Sequence, residues 1–148
     1  MSYQKLIDEH ARIDTALARL TNILDRPERD AEAATAALSH LAEELHDHLA
    51  HEDAMLYHEL IIANKPAYAH AVEQFTQQFD ALRRDWSAYL GGWTTAAIAA
   101  DWPIFRTATR LMVERLAERV AAENDLLYCA ALQFGAITLR DQQISAAA

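Results

Sequence analysis

The chain has 148 residues and a formal net charge of −9 at pH 7. That length suits one domain with a core large enough to need no disulfide or structural zinc. The acidic balance, with no run of Lys or Arg, argues against nucleic acid as the main partner. Three Gly and three Pro are too few for a turn-rich sandwich or barrel.

Ala, Leu, Glu and Arg dominate, and all are strong helix formers. One cysteine, Cys129, forms no disulfide within the chain, which fits a reducing compartment. The start lacks a basic-then-apolar leader pattern, and no stretch is apolar long enough to span a bilayer. A cytoplasmic protein with no membrane partner is the expectation. Seven His in one small domain point toward metal chemistry.

The first predicted helix runs from about Ser2 to Leu24. Its stripe is Leu6, His10, Ile13, Leu17, Leu20 and Leu24, spaced three or four apart. Asp25 and Pro27 close it. The second runs from about Asp30 to Ala63, with Leu38, Leu41, Leu45, His48, Glu52, Met55 and Glu59 along the seam of a bundle. Asn64 is the expected cap of a third helix that reaches Leu90, where Gly91 and Gly92 end it. Its stripe is Phe75, Gln78 or Phe79, Leu82, Trp86 and Tyr89.

Residues 93–100 read as a longer connection with room for a short helical turn. Asp101 and Pro103 open the fourth long helix, which carries Phe105, Ala108, Met112, Leu116, Arg119, Glu123, Leu126 and Ala130 to about Phe134. The short connections make neighbours antiparallel. The expected fold is therefore an all-α, up-down-up-down four-helix bundle over residues 1–135, followed by a tail over 136–148.

Five polar side chains stand on the apolar stripes: His10, His48, Glu52, Arg119 and Glu123. Buried charge is costly unless it is paired or bound to an ion. His48 and Glu52 are four apart, as are Arg119 and Glu123, so each pair shares a helix face. All five fall well inside their helices, where one level of the bundle can hold them together.

The segments Asp8-Glu9-His10, His48 to Tyr57 and Glu123 to Tyr128 resemble the hemerythrin-like HHE cation-binding family. Its pattern is a His on the first helix, His-x-x-x-Glu on the second, a His on the third and His-x-x-x-Glu on the fourth. The resemblance covers about residues 5 to 132. It implies a hemerythrin-like bundle in which six such groups hold a non-haem di-iron centre, with the two Glu bridging the metals.

His10, His48, Glu52 and Glu123 match that pattern. Gln78 and Phe79 stand about where the third-helix His belongs, and Arg119 replaces the fourth-helix His. A guanidinium stays protonated and does not ligate a cation. Both losses fall on one metal of the pair, so the di-metal site is degenerate. The resemblance then implies one divalent metal, iron or similar, with Arg119 in the lost position between Glu52 and Glu123. It further implies handling or sensing of dioxygen or nitric oxide.

The same residues also make a metal-free core, in which Arg119, Glu52, Glu123 and the two His satisfy one another. Such a chain is an interaction or signalling module. Neither version has the nucleophile or cofactor loop of an enzyme. His46, His51 and His58 fall off the seam and read as solvated surface groups. His40 and His70 carry no motif. Cys129 reads as a small packing residue, and Trp86, Trp93 and Trp102 as packing at one end of the bundle.

Overall fold

The computed structural model describes the backbone over residues 3–62 and 66–133 and the side chains of 4–49, 70 and 73–126. Five helices follow in order: α1 Tyr3–Asp25, α2 Ala31–Ile62, α3 Pro66–Gly92, α4 Thr95–Ala100 and α5 Trp102–Gln133. No strand occurs among the described residues.

Local chemistry sets the starts. Asp30 caps α2, its carboxylate accepting from the Ala33 N–H at 3.0 Å. Thr94 caps α4 in the same way, accepting from the Ala97 N–H at 3.2 Å. The connection after Gly92 thus forms a six-residue helix rather than an irregular loop. Asp101 then links α4 directly to α5, its carbonyl accepting from the Phe105 N–H.

The four long helices close into a ring with antiparallel neighbours. Arg12 of α1 pairs with Glu44 of α2 at 3.2 Å. The Leu24 carbonyl near the end of α1 accepts from Arg106 near the start of α5, whereas His10 meets Glu123 farther along that helix. Phe75, Asp85 and Tyr89 of α3 meet Arg119, Arg115 and Thr109 of α5 in reverse order.

The expected stripes form the core. Leu6, Ile13, Leu17, Leu20 and Leu24 of α1 are buried, as are Leu38, Leu41 and Leu45 of α2. Each such side chain contributes about 1.5–3 kcal/mol by leaving water. Trp102 and Phe105 fill one end, with ring centroids 5.6 Å apart. Between Gln78 and Phe79, Phe79 turns inward and is buried, while Gln78 is exposed.

The side chains of Glu52, Met55, Glu59, His51, His58 and Cys129 lie outside the described residues, as do Asn64 and the tail over 136–148. No helix among the described residues is long and apolar enough to cross a membrane.

Candidate metal centre

Three of the polar residues on the stripes meet inside the bundle. His10, His48 and Glu123 are each buried, and they come from α1, α2 and α5. His48 Nε2 lies 2.8 Å from Glu123 Oε1. His10 Nε2 lies 3.2 Å from the same oxygen and 3.3 Å from His48 Nε2. The two imidazoles meet edge to face.

The far nitrogens of both rings decide what the near ones carry. His48 Nδ1 lies 3.2 Å from Glu9 Oε2, and a carboxylate only accepts, so Nδ1 is the donor. His10 Nδ1 lies 2.5 Å from the amide oxygen of Asn124 and donates to it. A neutral imidazole that donates through Nδ1 presents a lone pair at Nε2. Two such lone pairs and one carboxylate oxygen converge on a single point.

That convergence demands a positive charge, either a metal ion or a proton shared by a ring. The spacing also fits a metal. Nitrogen and oxygen donors held about 2.1 Å from one ion, at angles between roughly 90° and 109°, stand about 3.0–3.4 Å apart. The three donor atoms lie within 4.8 Å of one another. Two imidazoles and a carboxylate suit iron, manganese or zinc equally.

Arg119 stands on the other side of Glu123. Its Nε donates to Glu123 Oε2 at 3.0 Å, and Nη1 donates to the Phe75 carbonyl at 2.9 Å. The guanidinium lies 3.5 Å from the Phe75 ring centroid and 4.8 Å from that of Phe79. It is fixed by an ion pair, a backbone acceptor and two ring faces. The arrangement expected from sequence had it between Glu52 and Glu123. The Glu123 contact is present, α3 supplies the next acceptor, and the Glu52 side chain lies outside the described residues.

Glu9 and Asn124 have functional positions that the seam alone did not reveal. Leu6, Glu9, Ile13, Ala16 and Leu20 form a second row at three- and four-residue steps beside the one through His10. Glu9 is buried on that row. Asn124 follows Glu123 and stands four residues after the buried Val120. Reading α1 and α5 as two adjacent rows finds both. His46 and His70 are exposed, and His40 lies 3.9 Å from Glu44 at the surface.

A small cavity adjoins the cluster on the side away from α1. It measures about 20 Å³, and His48, Glu123 and Arg119 border it together with Phe79, Leu82 and Leu116. That volume holds one water-sized molecule.

The family model of the hemerythrin HHE cation-binding domain matches residues 1–131. No curated protein and no solved structure matches the chain.

Proposed function

We propose that this chain, which belongs to the hemerythrin HHE cation-binding family, holds one divalent metal between His10, His48 and Glu123. Iron is the metal of this reading, and Glu52 of α2 is its fourth protein ligand. The convergence of two Nε2 lone pairs and one carboxylate oxygen carries the proposal. A buried cluster of acceptors is unfavourable without a cation, and the family is one that binds cations.

The residues of the chain divide the work. Glu9 and Asn124 hold the imidazole rings in the tautomer that offers Nε2. Arg119 supplies a fixed positive charge at Glu123 Oε2, where a second metal would otherwise bridge. The neighbouring apolar side chains keep bulk water away from the centre. A metal with an open position supplies affinity for a small ligand such as dioxygen or nitric oxide. The reading is therefore a cytoplasmic sensor or small-ligand binder rather than an enzyme.

Elemental analysis of protein purified without chelator, followed by calorimetric titration with ferrous iron under anaerobic conditions, tests this. One metal per chain is expected, with loss of binding in His48→Ala. Absence of binding for ferrous, manganous and zinc ions alike refutes it. The metal-free reading, a bundle stabilised by its His–Glu–Arg network, then takes its place.

A further inference from the structure

The cavity beside Glu123 is flanked by two outer grooves, and an arginine stands between it and each of them. On the α3–α5 side a groove of about 420 Å³, bordered by Phe75, Gln78 and Arg115, reaches the cavity at Leu82 and Arg119. On the α2–α3 side a groove of about 450 Å³, bordered by Ala42, His46 and Ser87, reaches it at Leu49, Arg83 and Trp86. Both guanidiniums rest on Phe79, Arg83 at 4.6 Å and Arg119 at 4.8 Å from the ring centroid.

The two sides are not equivalent. Arg119 is tied to Glu123 and to the Phe75 carbonyl, so the α3–α5 groove ends at a fixed group. On the α2–α3 side, Trp86 is buried and Leu49 packs against the core. Arg83 is half-buried and belongs to the wall of both spaces. A long side chain with a strongly polar head has alternative rotamers directed into the watery groove, which an apolar neighbour lacks.

We infer that Arg83 sets which ligands reach the centre, by closing the passage from the α2–α3 groove into the cavity and admitting only small neutral molecules of diatomic size. The size limit follows from the volume of the cavity. The route rests on the metal reading for its purpose but not for its existence, so it is testable without metal.

Trp86 borders the passage and reports on it. In a Trp93→Phe, Trp102→Phe background its fluorescence is quenched by dioxygen but little by the bulkier acrylamide. Arg83→Ala raises the acrylamide quenching constant several-fold while the helical circular dichroism stays unchanged. If Arg83→Ala loses its helical signal, Arg83→Lys is measured instead. It keeps the charge without the flat stack on Phe79, and a smaller rise in the same direction is expected. An unchanged acrylamide constant in the folded variant overturns the inference.

A second measurement uses the otherwise unaltered chain loaded with ferrous iron and nitric oxide as the probe. A passage residue changes a barrier and not an end state. Arg83→Ala should therefore speed association and dissociation by the same factor and leave Kd unaltered. An altered Kd with an unaltered association rate overturns it. Failure of the chain to take up iron refutes the metal reading instead, and the quenching result then decides the role of Arg83 alone.

Discussion

Glu123 and Arg119 form a carboxylate–guanidinium pair on one face of α5, and only one carboxylate oxygen takes part in it. Oε2 accepts from Arg119 Nε at 3.0 Å, while Oε1 faces His48 and His10. One buried carboxylate thus stands between a permanent cation and a cluster of lone pairs. Arg119→Ala leaves that carboxylate without its cation, and breaking a buried pair costs about 3–5 kcal/mol. Thermal melts should show this loss, with part of it recovered by added divalent metal that binds the folded state. A melt identical to that of the unaltered chain, with and without metal, removes Arg119 from the centre.

The metal count follows from the same pair. Where a second ion would bridge to Glu123 Oε2, the Arg119 guanidinium already sits. The chain should take up at most one metal. Two irons per chain by elemental analysis, with an oxo-bridge absorption band, contradict this.

The α3 face tells which substitution would restore a second site. Phe79 is buried and faces Arg119, whereas Gln78 is exposed. Phe79→His combined with Arg119→His places two imidazoles on that side of Glu123 and should add a second metal equivalent. Gln78→His with Arg119→His should not, because its ring starts from the solvent face. Calorimetric stoichiometry separates the two double variants.

Glu9 and Asn124 act through the rings they hold. Removing an outer hydrogen-bond partner of a metal-ligating His costs about 10–100-fold in affinity. Glu9→Leu should fall in that range. Glu9→Gln should lose less, because its amide oxygen still accepts from His48 Nδ1. A ferrous-iron affinity unchanged in Glu9→Leu would leave His48 oriented by packing alone.

Much of this was legible in the sequence, for a physical reason. The stripes on α1, α2 and α5 repeat at the helical period, so burial of Leu6, Leu41 and Leu116 follows from spacing. The same spacing put His10, His48 and Glu123 indoors. It did not choose between Gln78 and Phe79, which are adjacent and both near the seam, because packing against α5 made that choice. The Phe75 carbonyl as an Arg119 acceptor was not legible either, since any backbone oxygen has the same chemistry and only the register of α3 against α5 selects one. The cavity behind Glu123 belongs to no single helix and leaves no periodic trace.

Tyr89 carries the pH prediction. Its hydroxyl lies 2.6 Å from that of Thr109, a fully buried residue of α5, and its ring stacks on Trp86. Burial pushes the phenol up from 10.0 to about 12, against a smaller lowering by the Thr109 hydrogen bond. In the unfolded chain Tyr89 loses its proton near its ordinary value of about 10. The folded pKa is the higher one, so the stability from burying the neutral phenol is fully present below about pH 10. Between there and about pH 12 the unfolded state sheds a proton that the folded state keeps, and stability falls with rising pH. Tyr89→Phe should remove this part of the alkaline loss. At neutral pH it should cost about 1 kcal/mol for the lost hydrogen bond to Thr109. Denaturant unfolding at pH 8 and again in the alkaline window measures both effects, and an ultraviolet titration should show one of the five tyrosines ionising after the others. If the alkaline loss of stability is equally steep in Tyr89→Phe, the phenol is not the group that sets it.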